Sequence, residues 1–524
     1  MTKNTKNKEQ SIIMSRPPIV VVVGHIDHGK TTLLDTIRKT KVAEKESGGI
    51  TQHIGAYEIE HRGKKITFID TPGHEAFSKM RSRGTAAADI GILVVAGDES
   101  VKPQTKEAIK ILNEAKIPYC VAINKMDKPG ADSNRVKQDL AQENVLTESW
   151  GGKVPVVEIS AKKGENLDEL LELILLMAEV EELHAEEGNA EGIVIESHCD
   201  SSRGNTATLL ILNGKLKKGD LFVIGNSIEN IKILENFLGK AISEAHYSMP
   251  IRISGLNGLS EVGEEFKSFQ TKKDAENYAT QHKNEEKQKK PQEIISKEDK
   301  IPTLFLILKS DVSGSREAIE GMLEKLSARI GFVSPVSTGE AVSTDEKVPE
   351  ARFVLLKSEV GDVNENDIKS ASISKRVIIA AFKVRVAPAQ KELAERHGIK
   401  ILQSEIIYDL FDAIKEELSR IIPPEIKRTD SGRAKILATF KRDGSRQIIG
   451  GKVVSGRISK GVCEVERNKE VLCRAKIRDL QHMKKSVDEV KEGMEFGVMI
   501  ECDSDIKKDD ALVIFTEEAI YKKL

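Results

Sequence analysis

The stretch that most constrains this chain is Gly24-His25-Ile26-Asp27-His28-Gly29-Lys30-Thr31. It fits GxxxxGK[ST], follows the apolar β-rich run IVVVVG and opens the helix-periodic TTLLDTI. Such a loop works only between a strand and a helix, because its glycines must turn the backbone so that successive N–H groups converge on phosphate oxygens. Lys30 then places a point charge by the β- and γ-phosphates, and Thr31 offers a hydroxyl to Mg²⁺. Thr32 is expected at the α-phosphate, beside the positive end of the helix. The HIDH tetrad raises a zinc alternative. A loop wrapped around phosphates turns most side chains elsewhere, no helical HExxH is present and no third ligand stands nearby, so the histidines read as parts of the cradle.

Later motifs define the base. Asn124-Lys125-Met126-Asp127 follows the strand-like YCVAI, where an open sheet binds ligands beyond its strand ends. A carboxylate at Asp127 can accept from N1–H and the 2-amino group of guanine, whereas adenine offers neither donor there. Asn124 supports the pocket, the Lys125 stem covers one face, and Ser160-Ala161-Lys162 closes it, with the Ala161 N–H expected toward guanine O6. Between these motifs lies Asp70-Thr71-Pro72-Gly73-His74. Asp70 is expected at Mg²⁺ through water and the Gly73 N–H at the γ-phosphate. Thr51, in GGITQHIGAY, is expected as a second protein ligand to Mg²⁺ while its loop is ordered. His74 stands where many GTPases place a glutamine that positions water.

Five apolar runs between 18 and 180 alternate with helical spacing, the signature of a doubly wound parallel sheet. We divide the chain into a tail at 1–15, a P-loop GTPase domain at 16–185, a β-barrel at 190–270 and a charged helix and linker at 271–300. An α/β domain at 301–403, a connecting helix at 404–424 and a C-terminal β-barrel at 425–524 follow. GKLKKG at 214–219 and GRISKG at 456–461 echo each other and support two small barrels of one type. No apolar run approaches the ~20 residues a bilayer span needs, and the lysine-rich start lacks an export signal. Five scattered cysteines without CxxC spacing argue against a disulfide framework and for a reducing cytosol. The net charge of −2 hides an asymmetry: residues 426–485 hold 17 Lys and Arg against 6 Asp and Glu, a local +11 that points to a polyanion.

GHIDHGKTTLLD, GGITQHIGAY, DTPGHEAFSKMRSRGTAAADI and VKPQTKEAI resemble the translational GTPases, and more narrowly the bacterial translation initiation factor 2 family. The likeness runs on through GLNGLSEVGEEF, SDVSGSREAIEGMLEKL and EIIYDLFDAIKEEL, covering about Arg16 to Phe515. The resemblance implies GTP and GDP as ligands and a monomer off the ribosome. It implies formylmethionyl initiator tRNA held by the last barrel on the small ribosomal subunit, and hydrolysis after the large subunit joins. It also implies that ribosomal RNA phosphate swings His74 toward the attacking water, past an apolar gate of Ile26 and Ile50. Two departures stand out. Only fifteen residues precede Arg16, where the family has a long extension. The last barrel has Gly451 and Phe496 where the family has cysteines, while Glu495, Gly497 and Lys484 match. We expect Met494 and Phe496 to line the pocket for the aminoacyl end. An elongation-type carrier is disfavoured by the α/β domain and the helix after it; a GTP-binding module that senses the ribosome without carrying tRNA stays open.

Overall fold

The structure, a computed structural model, describes residues 13–40, 51–286, 302–327, 331–333, 352–374, 376–421, 425–468 and 470–520. Ile50, most of the tail, the linker beyond 286 and the helix stop at Pro423-Pro424 lie outside them. The chain forms two compact units, residues 1–418 and 419–524.

The first unit opens with β1 (Ile19–Gly24), β2 (Gly55–His61), β3 (Lys64–Asp70), β4 (Ile90–Ala96), β5 (Tyr119–Asn124) and β6 (Val156–Glu158). They form one sheet in the order β2-β3-β1-β4-β5-β6, parallel except for the β2–β3 hairpin. Every residue of β1 is buried, as expected for a central strand covered on both faces. Helices α1 (Lys30–Arg38), α2 (Ser78–Ala86), α3 (Pro103–Ala115), α4 (Ser133–Gln142) and α5 (Leu167–Val180) connect the strands. The core joins β1 to Leu33 and Leu34 of α1 and to Leu170, Leu171 and Ile174 of α5.

Next comes an antiparallel sheet of β7 (Glu191–Asp200), β8 (Gly204–Asn213), β9 (Leu221–Ile224), β10 (Ser227–Asn230), β11 (Ile233–Asn236), β12 (Pro250–Leu256) and β13 (Glu265–Phe269). Its order is β10-β9-β13-β7-β8-β12-β11, curled around a core that includes Leu209, Phe222, Ile253 and Phe266. Helix α6 (Lys272–Glu286) packs Ala275 and Ala279 against Val223 of β9.

A parallel sheet then follows, of β14 (Thr303–Ser310), β15 (Gly331–Val333), β16 (Arg352–Val360), β17 (Val377–Phe382) and β18 (Lys400–Ser404), in the order β15-β16-β14-β17-β18. Its helices are α7 (Ser313–Ser327), α8 (Glu365–Ser372) and α9 (Pro388–Arg396). Helix α10 (Ile407–Ile421) buries Ile407, Leu410, Ile414 and Leu418, one stripe at helical spacing.

The second unit is β-rich: β19 (Glu425–Asp443), β20 (Arg446–Ser459), β21 (Gly461–Arg467), β22 (Glu470–His482), β23 (Lys485–Ser486), β24 (Glu489–Lys491), β25 (Glu495–Glu501) and β26 (Ala511–Ile520). The order β19-β26-β21-β22-β25-β20 closes into a barrel because β20 also pairs with β19. Closure removes the free edges that an open sheet would leave.

Two expectations change here. Cys473 of β22 and Cys502, just after β25, form a disulfide, whereas the spacing had argued against one; neighbouring strands bring together cysteines 29 residues apart. The basic run is also largely neutralised. Arg428, Arg433, Lys435, Arg442, Arg446, Arg457, Lys460, Arg467, Arg474 and Arg478 all pair with carboxylates, most of them from residues after 485 that the +11 window leaves out. Among the described residues of that run, Lys427, Lys441, Lys452, Lys476, Lys484 and Lys485 carry no ion pair.

Candidate nucleotide site

The ends of β1, β3 and β5 and the turn after β6 converge on one cleft, lined by Ile26, Asp27, Gly29, Lys30, Thr31, Thr32, Thr51, Gly73, His74, Asn124, Lys125, Asp127, Ala161 and Lys162. Most of the expected site residues thus share one surface. Gly24, His25, His28, Asp70 and Ser160 support it from behind or beside.

Gly29 caps α1 with φ at +88°, and a Cβ there would stand 2.3 Å from Asn124 Nδ2. Lys30 is buried, and its Nζ donates to the carbonyls of Gly24 at 2.9 Å and His25 at 2.6 Å. Burial lowers its pKa to about 8, with the nearby Asp70 charge opposing the fall. The His28 ring lies inside, Nδ1 at 3.4 Å from Val94 O and edge-on to His25; burial takes its pKa to about 3. Burial also lowers His25. The Ile26 N–H donates to Gln104 Oε1 on α3 at 3.0 Å, a contact sequence reasoning missed.

Asn124 clasps together the two loops expected to hold the phosphates and the base. Its Nδ2 donates to His28 O at 2.9 Å, and its Oδ1 accepts the Ala161 N–H at 2.9 Å. That N–H was expected toward guanine O6; here Asn124 takes it. Ser160 Oγ donates to Asp127 Oδ1 at 2.8 Å and holds that carboxylate below its ordinary range. Lys125, at φ +63°, extends toward Glu99 with Nζ 3.2 Å away.

Thr31 Oγ1 and Thr51 Oγ1 lie 2.6 Å apart. With the buried carboxylate of Asp70 at the end of β3, they make an all-oxygen donor set. Adjacent ligands of an octahedral Mg²⁺, at roughly 2.1 Å each, stand about 3 Å apart, so the residues fit this ion.

Gly73 faces Lys30: a Cβ on it would stand 2.3 Å from Nζ. His74 is held from two sides. Arg81 of α2, 1% exposed, donates to the carbonyls of Pro72 and His74 and pairs with Glu107 of α3 at 2.5 Å. The His74 ring lies 3.9 Å from the ring of Tyr408 on α10. Burial, then the Arg81 charge, lowers the His74 pKa to about 4, so the imidazole is neutral at pH 7. Arg81 stands seven residues beyond His74, one α2 turn from the loop, and only that spacing could have flagged it.

Three family models match in succession: Elongation factor Tu GTP binding domain at 15–180, Elongation factor G domain 2 at 189–269, and Translation-initiation factor 2 at 279–415. Translation initiation factor IF-2 of Clostridium novyi (strain NT) is 40% identical over 535 residues, covering 100% of this chain and 75% of that protein. The chain belongs to the translation initiation factor IF-2 family. IF-2 of Clostridium perfringens (strain 13 / Type A) is 39% identical, with 98% of this chain and 74% of that one covered. IF-2 of Francisella tularensis subsp. tularensis (strain SCHU S4 / Schu 4) is 40% identical, and this chain spans 60% of its length. Among solved structures, GDP-bound aIF5B from Aeropyrum pernix is 26% identical, covering 95% of this chain and 92% of that one, with a TM-score of 0.45.

The two barrel positions expected to depart from the family pattern meet in space. Gly451 of β20 and Phe496 of β25 are register partners, and a Cβ on Gly451 would stand 2.7 Å from Phe496 Cζ. Phe496 is 5% exposed and belongs to the barrel core, so it does not line an outer pocket as expected. The outer face of β20 and β25 instead carries Ile448 and Met499 beside Gly450 and Gly497, joined by Phe440 of the neighbouring β19, with Met494 exposed nearby. Inward and outward side chains alternate along a strand, which sends position 496 to the core. Among the described residues, no helix is long and apolar enough to cross a membrane.

Proposed function

We propose that this chain is a cytoplasmic initiation factor that hydrolyses GTP to GDP and phosphate when the ribosome triggers it. It works as a monomer off the ribosome, binds formylmethionyl initiator tRNA on the small subunit and promotes joining of the large one. The Thr31–Thr51 hydroxyl contact carries the reading, since it brings the cradle and the switch segment together where a triphosphate and its ion belong.

Lys30 now donates to two carbonyls of its own loop. Phosphate oxygens, being anionic, compete better for the ammonium and draw it toward the β- and γ-phosphates. Thr31, Thr51 and Asp70 would hold Mg²⁺, which supplies charge neutralisation at the phosphates. Asp127, kept ionised by Ser160, accepts the two guanine donors. Neutral His74 acts by orientation: beside a ribosomal RNA phosphate its ring leaves Tyr408 and aligns the attacking water, with Ile26 on one side of its path.

For the tRNA, the unpaired lysines Lys452, Lys476, Lys484 and Lys485 lie on or beside the strands bearing the Phe440–Ile448–Met499 shelf. A formylated methionine ends in a neutral amide; an unformylated one carries an ammonium that an apolar shelf with basic surroundings disfavours. The test is a competition between formylmethionyl-tRNA and methionyl-tRNA for the full chain at two ionic strengths. We expect the formyl preference to persist at high salt. With six lysines among the described residues of the basic run that carry no ion pair, overall affinity should fall with a log–log slope of roughly −4 to −5, far short of what 17 basic residues would give. Indifference to the formyl group would favour the ribosome-sensing alternative.

A further inference from the structure

Thr51 is followed by two side chains that both leave the GTPase domain, Gln52 for the connecting helix and His53 for the α/β domain. Gln52 is fully buried; its Nε2 donates to Glu405 O at 3.0 Å and its Oε1 accepts the N–H of Ile407, the first residue of α10, at 3.3 Å. His53 Nε2 lies 2.8 Å from Asp311 Oδ2, just before α7. One amide thus clamps the opening backbone of α10 at both its donor and its acceptor.

We propose that Gln52 is a positioning residue: its clamp on α10 holds the Thr51 hydroxyl at the Mg²⁺ site, so that preference for GTP over GDP depends on the connecting helix. The inference rests on the reading of Thr51 as a ligand used with GTP. Consecutive Cα atoms are ~3.8 Å apart, so anchoring residue 52 confines residue 51 to a small volume. Gln52 cannot release α10 and stay buried, because an unpaired amide in that setting is costly. A withdrawal that carries the Thr51 backbone away from Thr31 therefore has to break the clamp as well. By linkage, a triphosphate that recruits Thr51 tightens the hold on α10 in equal measure.

The experiment uses the full chain with Gln52→Met, which keeps the volume and loses both hydrogen bonds. Affinities for GDP and for a non-hydrolysable GTP analogue are measured by titration, with Mg²⁺ and with a chelator. Losing the two bonds should leave Thr51 competent in a smaller fraction of molecules and weaken the GTP analogue about tenfold in Mg²⁺. GDP affinity should not change, and the variant should match the wild type in chelator. An equal loss for both nucleotides would mean a structural role and overturn the proposal, as would no loss. Thr51→Ala separates the two ideas. If it leaves the GTP preference intact, the ligand reading itself fails; if it abolishes the preference while Gln52→Met keeps it, only the clamp fails.

Discussion

Phe496 occupies the space that a side chain at position 451 would need, and this contact joins two positions that look independent along the chain. The virtual Cβ of Gly451 lies 2.7 Å from the Phe496 ring and 2.6 Å from Lys435 O. Gly451→Cys should therefore overpack the barrel and cost about 1–3 kcal/mol. Phe496→Cys removes the ring and should cost on the order of 3 kcal/mol through the cavity it leaves. Combined with Gly451→Cys, which returns atoms to that space, the loss should fall below the sum of the single changes. Denaturant unfolding of the two single variants and the double variant gives the coupling directly. Additive costs would show that the two positions do not share one packing space.

The loop from Asp70 to His74 is fixed by its backbone more than by the imidazole it presents. Arg81 grips the carbonyls of Pro72 and His74, and Glu107 secures the guanidinium from α3. Removing the imidazole leaves those contacts in place. His74→Ala should thus bind GTP almost normally and keep its slow intrinsic turnover. It should lose most ribosome-stimulated hydrolysis, about 10²-fold or more, because aligning water acts in the transition state. Single-turnover hydrolysis with and without ribosomes checks this, and equal stimulation in both proteins would remove the assigned role. The cradle and base motifs were legible because each is a contiguous run whose spacing fixes its chemistry. Arg81, Gln104, Gln52 and Tyr408 were not, since each acts on a partner that only the tertiary fold brings near. For the same reason the sequence window of +11 misjudged the barrel: its counter-charges arrive on β24, β25 and β26 and the turns between them, beyond the window's end.

Three bodies of the first unit meet at a cluster of titratable groups, and its protonation should tune how firmly they hold together. Glu196 of β7 faces His53, Asp311, Arg252 and Lys383; burial pushes its carboxyl up to about 7. Burial opposes a charge on His53, yet its bond to Asp311 and the nearby Glu196 raise its pKa above the ordinary value. His198, on the same strand as Glu196, is shifted down by burial and then by Arg252, so it pulls the other way. Both raised groups bind protons more tightly in the folded protein than in the unfolded one. Their contribution is full below the unfolded values and is lost as pH rises through the folded ones. For Glu196 that window runs from its ordinary value near 4.5 up to about 7. Carboxylates elsewhere titrate the opposite way, so the informative quantity is a difference between proteins. Glu196→Gln keeps a neutral side chain of the same shape at every pH. Relative to wild type, it should gain on the order of 1–2 kcal/mol between pH 5 and 8, short of the full shift because Glu196 keeps some contact with solvent. Thermal unfolding of both proteins at pH 5, 6.5 and 8 measures this. Parallel curves would mean that Glu196 is ionised in the folded state throughout, and that the junction is insensitive to pH.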